Sequence, residues 1–355
     1  MGDIKKIALI VPSLNIGGME RVMVELAWYF STKSNIKITL ILLSNKTKYY
    51  ELPNSLVLIQ PEFDYKKYSR VVFTLKIFLY LRKALKELKP NSLLSFSERY
   101  NAFVLLAAIG LGIKLYVSNR ASPFYSAGRM IDLINFYTYR MASGIIAQTN
   151  LAKEQLFKKS NHKNIIVIGN PIRSIAQSGT QKENIILYVG RFSDQKNQYS
   201  LVEYFAAINN MNWVIKFVGD GLKMQQTISK VEKLGLTEYV QFEGMRTDIE
   251  FFYNQASIFA FTSLSEGFPN ALGEAMAAGL ACISYDCVAG PADLIDDGVN
   301  GFLIPLGNEK LYIERLKLLM EDADLRKRFG IAAREKMKQF SADKIAQQYL
   351  DFILA

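Results

Sequence analysis

The sequence predicts an α/β protein built from two consecutive doubly wound parallel sheets, and three observations carry that prediction. Short, β-branched-rich apolar runs alternate with longer stretches of helical period, as they do when strands are buried on both faces and helices return the chain to a parallel neighbour. The alternation stops at Gly169-Asn170-Pro171 and a polar stretch over 174–183, then begins again. A chain of 355 residues, 50% hydrophobic and 21% charged, has enough apolar surface to give each half its own core.

In the first half the runs 7–11, 38–43, 93–96, 115–118, 145–148 and 165–168 read as strands. In the second they are 185–189, 214–218, 240–242, 258–261, 281–284 and 302–304. The expected organisation is a Rossmann-like domain over 1–169, another over 170–340, and a C-terminal helix over 341–355 packing back on the first. The C-terminal stretch is helical in pattern, with Gly330 and Ser341 as interruptions. Ligands of such sheets bind beyond the carboxyl ends of the strands, so an active site facing an interdomain cleft is expected.

The net charge of +10 is uneven: residues 1–170 hold 24 Lys+Arg against 10 Asp+Glu, and the remainder 19 against 23. A basic first half beside a mildly acidic second points to one domain facing an anionic partner. The stretch 66–89 sharpens this. At 100° per residue Lys76, Arg82, Lys83, Lys86 and Lys89 lie on one side of a helix over 73–89, with Phe73, Ile77, Phe78, Tyr80, Leu81, Ala84, Leu85 and Leu88 on the other. An ordinary surface helix fits that pattern. So does a helix on anionic lipid with its apolar side toward the acyl chains, which Lys66, Lys67 and Arg70 favour. No run of about 18 uncharged apolar residues exists to span a bilayer. The start, Met1-Gly2-Asp3-Ile4-Lys5-Lys6, enters a strand without the marks of a signal peptide. Cys282 and Cys287 match no zinc or redox spacing, so a reducing cytosol is expected.

Three strand-end loops carry the chemistry. After the run 258–261 comes Ser265-Glu266-Gly267-Phe268-Pro269-Asn270-Ala271-Leu272-Gly273-Glu274, with Gly279 suited to cap a helix from about Asn270 to Ala278. The helix N-terminus makes the amides near Phe268 to Leu272 a diphosphate site. Glu274, about 6 Å further along, is placed for a ribose, and Glu266 on the other side for a sugar. After 185–189 comes Gly190-Arg191-Phe192-Ser193-Asp194-Gln195-Lys196, two cations that can neutralise a diphosphate. After 7–11 comes Gly17-Gly18-Met19-Glu20-Arg21, a pair of glycines that lets main chain approach a ligand. Gly219-Asp220-Gly221 and Gly244-Met245-Arg246 also end strands, and either is equally a plain turn.

The two glutamates seven residues apart, in this strand–loop–helix setting, resemble the E-x7-E motif of glycosyltransferase family 4. The resemblance runs along nearly the whole chain and is strongest over 184–305. It implies a GT-B enzyme that transfers a sugar from a nucleotide donor with retention of configuration. It also implies that Glu266 contacts sugar hydroxyls and Glu274 the ribose. Arg191 and Lys196 match the family's G-R-x5-K clamp with one residue less between them, and Gly219 and Met245 fall where relatives hold the base. Gly17 and Gly18 fall where relatives face the donor phosphates. The family is usually discussed as front-face displacement, in which the leaving phosphate deprotonates the incoming hydroxyl.

One departure stands out. Where many relatives carry a histidine toward the transferred sugar, this chain reads Ser118-Asn119-Arg120-Ala121-Ser122-Pro123. Arg120 and Asn119 are candidate sugar or acceptor contacts, with a structural ion pair equally open for Arg120. The sole histidine, His162, lies in a polar loop. Asp322-Ala323-Asp324 has the spacing of a metal site but sits far from any strand end, so neither metal nor cofactor is expected, and Arg191, Lys196 and the helix dipole would replace a divalent ion.

The expectation is a retaining hexosyl- or N-acetylhexosaminyltransferase using a UDP-linked donor. Its acceptor would be a polyprenyl-diphosphate-linked glycan, and the enzyme would be peripheral on the inner face of the cell membrane through 66–89, with no nucleic-acid partner. An epimerase, an inverting transferase or a non-catalytic sugar-nucleotide sensor remain alternatives. A nicotinamide-dependent oxidoreductase lacks its G-x-G-x-x-G.

Overall fold

The computed structural model describes residues 3–15, 17–45, 49–63, 67–176, 179 and 182–355. The chain divides into two compact units, one comprising the residues up to Pro171 together with Ala342–Ala355, the other Ile172–Ser341.

The first unit holds strands β1 (Lys5–Val11), β2 (Ile36–Leu42), β3 (Val57–Ile59), β4 (Ser92–Phe96), β5 (Lys114–Ser118), β6 (Gly144–Ala147) and β7 (Ile165–Val167). They form one parallel sheet in the order β3-β2-β1-β4-β5-β6-β7. The second unit holds β8 (Ile185–Val189), β9 (Val214–Val218), β10 (Val240–Phe242), β11 (Ile258–Phe261), β12 (Ala281–Asp286) and β13 (Phe302–Pro305). Their order is β10-β9-β8-β11-β12-β13, again all parallel. Both sheets are doubly wound, and each reverses its strand order once, between β1 and β4 and between β8 and β11. The near-continuous apolar runs lie where parallel strands covered on both faces should place them: β4, β8 and β11 are buried along their whole length.

Strand β3 was not anticipated. It is three residues long, at the sheet edge, with Val57 exposed, so it carries neither the length nor the apolar density of the others. The helix Ala342–Leu354 lies in the first unit, where Gln347 accepts from the Tyr29 hydroxyl at 2.7 Å and Ser92 donates to the carbonyl of Ile353 at 2.5 Å.

The helix expected over 73–89 spans Arg70–Leu88 and starts one turn earlier, because Ser69 Oγ accepts from Val72 N and caps it. Lys66 lies outside the described residues. Its expected apolar side faces the core instead of solvent: Ile77, Leu81, Ala84 and Leu85 are buried, with Phe73, Phe78, Tyr80 and Leu88 packed against them. A separate strip is exposed. Val71, Val72, Leu75 and Leu79 are 79%, 45%, 59% and 58% accessible, and lie within about 100° of one another on the helix.

Gly330 does not interrupt its helix, which runs Ala323–Met337; the break falls at Asp322, whose carboxylate caps the helix by accepting from Leu325 N at 2.8 Å. The Asp322-Ala323-Asp324 spacing is therefore a helix start. Gly330 is where that helix touches the turn at Gly279: a Cβ on Gly330 would overlap the Gly279 carbonyl oxygen. Alanine is the better helix former by roughly 1 kcal/mol in an exposed helix, yet overpacking against main chain costs about 1–3 kcal/mol. Gly330→Ala should therefore lower the thermal midpoint measured by calorimetry; an unchanged or raised midpoint would show that the contact yields.

Candidate active site

In the second unit the strand order reverses between β8 and β11, so the loops after these strands open beside one another at the carboxyl edge of the sheet, the place where doubly wound sheets bind ligands. Three hydrogen bonds knit the two loops, and a fourth, from Tyr188, ties the first loop to its own strand. Leu264 N donates to Gln195 O at 2.8 Å, and Thr262 Oγ1 donates to Asn197 O at 2.8 Å. Tyr188, buried at the end of β8, donates to Lys196 O at 2.7 Å, and Gln195 Nε2 donates to Ser265 O. Asn197 adopts φ 52°, a left-handed conformation that asparagine tolerates, and ends the loop where the helix Gln198–Ile208 begins.

This framework brings Lys196 and Glu266 together. Lys196 Nζ lies 2.6 Å from Glu266 Oε1 and 5.2 Å from the centre of the Phe261 ring. Their side chains are 23% and 9% exposed, so the charges sit where solvent screens them weakly but a ligand can still reach the ammonium. Arg191, earlier in the same loop, is exposed. Two glycines let main chains close in behind. Gly219 (φ 140°) and Gly221 (φ 156°) lie so near the main chain of Gly190 and Phe192 that a Cβ on either would overlap a carbonyl oxygen. Gly190 N donates to Val218 O at 2.9 Å and Phe192 N to Asp220 O at 3.0 Å.

The helix after β11 spans Asn270–Ala277, with Pro269 as its first flanking residue and Gly279 at φ 73° beyond its end. Phe268 and Leu272 are buried, and Gly267 leads into this turn from Glu266. Asn270 N is engaged by Phe268 O at 3.0 Å, so it is not among the amides offered to an anion; those of the first turn, Ala271 and Leu272, are the ones a helix leaves without intrahelical acceptors. Glu274 is 8% exposed, and its Oε2 accepts from the Tyr253 hydroxyl at 3.1 Å. Gly219 N donates to Gly244 O at 2.8 Å, leaving neighbouring Met245 74% exposed. Cys287 is a neighbour of Glu266. Burial pushes its thiol up to about 12, with the Glu266 carboxylate adding to the effect, so at neutral pH it is a thiol and not a nucleophile.

In the first unit, Gly17 precedes the helix Gly18–Ser31, and its amide and carbonyl both bond the Tyr50 hydroxyl at 3.1 and 3.0 Å. Burial raises the pKa of Glu20 in the first turn of that helix. Asn119 is held in a buried network, its Oδ1 accepting from Tyr139 Oη at 2.7 Å and Asn101 Nδ2 at 3.2 Å. Arg120 donates from Nη1 to Tyr349 Oη at 2.8 Å and from Nη2 to Asn170 Oδ1, with its guanidinium over the Phe96 ring at 4.5 Å. Both side chains thus have structural partners of their own. His162 is bonded to Ala142 O at 2.9 Å and Asn164 N at 3.1 Å.

Sequence reasoning missed Glu98. It follows β4 on the far side of that sheet's own reversal point, after Ser97, a non-glycine residue at φ 100°. Its Oε1 accepts from Ala121 N at 2.7 Å and from Arg120 N, tying the β4 and β5 loops, and burial raises its pKa against those main-chain bonds. A cavity of about 250 Å³ opens there, lined among others by Glu98, Arg99, Arg120 and Tyr125. The available signal was its position: a carboxylate directly beyond the carboxyl end of a buried strand.

Comparison with known proteins agrees with this arrangement. The family model "Glycosyltransferase Family 4" matches residues 16–174, and "Glycosyl transferases group 1" matches residues 172–336. A Campylobacter jejuni protein named GalNAc-alpha-(1->4)-GalNAc-alpha-(1->3)-diNAcBac-PP-undecaprenol alpha-1,4-N-acetyl-D-galactosaminyltransferase is 28% identical over 98% of this chain and 98% of its own. Among solved structures, the lipopolysaccharide outer core galactosyltransferase WaaB superposes with a TM-score of 0.77 at 22% identity, covering 98% of this chain and 99% of that one. The Anabaena protein HepE in complex with UDP-glucose gives 0.79 at 18%, covering 98% of each. With two parallel α/β units in this order and the two family models matching one after the other over residues 16–174 and 172–336, the chain belongs to the GT-B glycosyltransferases, a family 4 first half joined to a group 1 second half.

Proposed function

We propose that this glycosyltransferase moves a hexose or N-acetylhexosamine from a UDP-linked donor, with retention of configuration, to a polyprenyl-diphosphate-linked glycan. The observation that carries the reading is the Lys196–Glu266 pair at 2.6 Å, beside a helix N-terminus on loops locked by main-chain bonds. Arg191, Lys196 and the first-turn amides at Ala271 and Leu272 hold the diphosphate, Glu274 takes the ribose hydroxyls and Glu266 the sugar hydroxyls. Gly190, Gly219 and Met245 border the base. These positive groups stabilise the charge that grows on the diphosphate as the bond to the sugar breaks, the work a divalent ion does elsewhere. The new glycosidic bond forms on the face the diphosphate leaves, and the acceptor hydroxyl's proton passes to the departing phosphate oxygen. The Campylobacter relative's name, with its alpha linkage and undecaprenol diphosphate acceptor, and the UDP-glucose held by HepE support this choice of donor and acceptor.

Membrane contact is proposed for the first unit, through the exposed strip Val71, Val72, Leu75 and Leu79 with exposed Lys67, Arg70, Lys76, Lys83 and Lys86 on the same segment. On this reading the enzyme works peripherally on the inner face of the cell membrane. No described helix is long and apolar enough to cross a membrane.

With a UDP-sugar and a lipid-linked glycan acceptor, Lys196→Ala should cut kcat by roughly 10²–10³-fold, the cost of removing one preorganised stabilising group. Glu274→Ala should mainly weaken UDP binding in calorimetric titration. Turnover by Lys196→Ala at the wild-type rate would sink the clamp, and a product whose anomeric NMR coupling is inverted from that of the donor would sink retention.

Leu75→Asp with Leu79→Asp should abolish retention on phosphatidylglycerol vesicles at low salt while leaving the thermal midpoint close to wild type, since neither side chain is buried. Undiminished co-sedimentation of that variant would rule out this strip.

A further inference from the structure

A second basic concavity lies in the same unit as the donor loops but at the opposite, amino-terminal edge of the sheet. It has a volume of about 660 Å³, within the range of small-molecule sites. Its rim is formed by residues just before strands: Lys182 before β8, Ser257 before β11 and Gly279 before β12. Strands of four to five residues at ~3.3 Å per residue put it some 15 Å from the donor loops. The other wall is one face of the helix Ala323–Met337, carrying Arg326, Lys327, Ile331 and Arg334 at helical spacing.

Three of its cations are bonded to carbonyls at helix C-termini. Lys182 Nζ donates to Ala256 O at 2.9 Å and Tyr253 O at 3.4 Å, at the end of the helix Ile249–Gln255. Arg326 Nη1 donates to Leu319 O at 2.7 Å and Met320 O at 3.1 Å, in the last turn of Glu309–Glu321. Arg334 Nη2 donates to Ala278 O at 2.9 Å, after Asn270–Ala277. Capping alone would explain such residues, and the charges decide whether it suffices. Each helix end carries roughly −0.5, so three supply about −1.5. Lys338 and Glu335 pair with each other at 2.5 Å. Glu335 is thus the one carboxylate among the residues that line the concavity, and Asp322, at the cap of the lining helix and outside the lining, acts on Arg326. Against these stand Lys182, Arg326, Lys327 and Arg334, which leaves an excess of roughly one and a half positive charges. Capping therefore does not use the charge up. Each guanidinium has five N–H groups, more than the one or two carbonyls it is bonded to here, and burial holds the Lys182 ammonium at about 8, below an ordinary lysine, with Arg334 adding a smaller push in the same direction.

We propose that this concavity is a second anion site that binds the phosphate of a small soluble phosphomonoester. Such a group carries −1.5 to −2 charges at neutral pH, the amount left over. Arg326, Lys327 and Arg334 receive the phosphate, while Ile331, 64% exposed, gives the organic body an apolar wall.

Equilibrium dialysis of the full chain against radiolabelled inorganic phosphate tests this, using an Arg191→Ala, Lys196→Ala background to remove the donor loops. Saturable binding should persist in that background and weaken roughly tenfold or more with Lys327→Ala or Arg326→Gln, the loss expected for a charge-assisted hydrogen bond. Lys327 is exposed, so its variant should keep the wild-type thermal midpoint, and Lys317→Ala elsewhere on the unit should change nothing. Loss of all binding in the donor-loop background overturns the proposal. So does binding indifferent to both substitutions at the concavity. Retention on phosphatidylglycerol vesicles that Lys327→Ala abolishes, without any soluble phosphate binding, also overturns it by assigning the cations to a lipid surface.

Discussion

The main-chain hydrogen bond from Leu264 N to Gln195 O is the contact on which the carboxyl edge of the second unit's sheet depends. At a reversal of strand order, successive crossover helices pass to opposite faces of the sheet, and the loops they leave behind are separated by a crevice. Such loops hold position only if they bond to one another. Here the Leu264 bond, with those from Thr262 and Tyr188, sets the height of Lys196 relative to Glu266 before any ligand arrives. That is what electrostatic preorganisation requires, because a cation that must swing into place spends its stabilisation on reordering. The glycines are part of the same constraint: Gly219 and Gly190 lie main chain to main chain, and no residue with a Cβ at 219 could let the β8 and β9 loops close.

In the proposed function the helix Asn270–Ala277 makes this edge an anion site, and its capping is asymmetric. Its N-terminal turn faces the loop that carries Glu266, while its C-terminal carbonyl at Ala278 is neutralised by Arg334. Neutralising one end of a short helix leaves the positive end the better exposed partner for a diphosphate. Gly279 at φ 73° and Gly330 beneath it allow the packing that brings Arg334 to that carbonyl.

Most of the fold was legible because parallel strands buried on both faces announce themselves as continuous apolar runs; β8, β9, β10 and β11 begin and end where their runs do. Strand β3 escaped because an edge strand of three residues is buried on too little of its surface to need such a run. The glutamate–helix loop was legible because glycine, proline and charge recur there in a pattern that a surface helix does not need. Glu98 was not, since a lone carboxylate after an apolar run has no partner in sequence; its partners are main-chain amides 22 and 23 residues away. Arg120 was left open between ligand and structure; its bond to Tyr349 depends on the C-terminal helix packing within the first unit and its bond to Asn170 on a residue 50 positions away, neither of which a local pattern encodes.

Amphipathicity shows the same limit from another side. A helical projection finds the apolar face of Arg70–Leu88 but is silent on what covers it, and in this unit the core claims it. What remains for a membrane is a narrower strip that the projection averages away, since Val71, Val72, Leu75 and Leu79 occupy the first half of the helix and Lys83 and Lys86 the second. Charge counting fails in the opposite direction. The second half is mildly acidic overall, yet five of its cations line one concavity whose carboxylates are few. A net charge describes the far field, screened within about a Debye length of ~10 Å. Binding is decided inside that distance, where an acidic unit can hold a strongly basic site without contradiction.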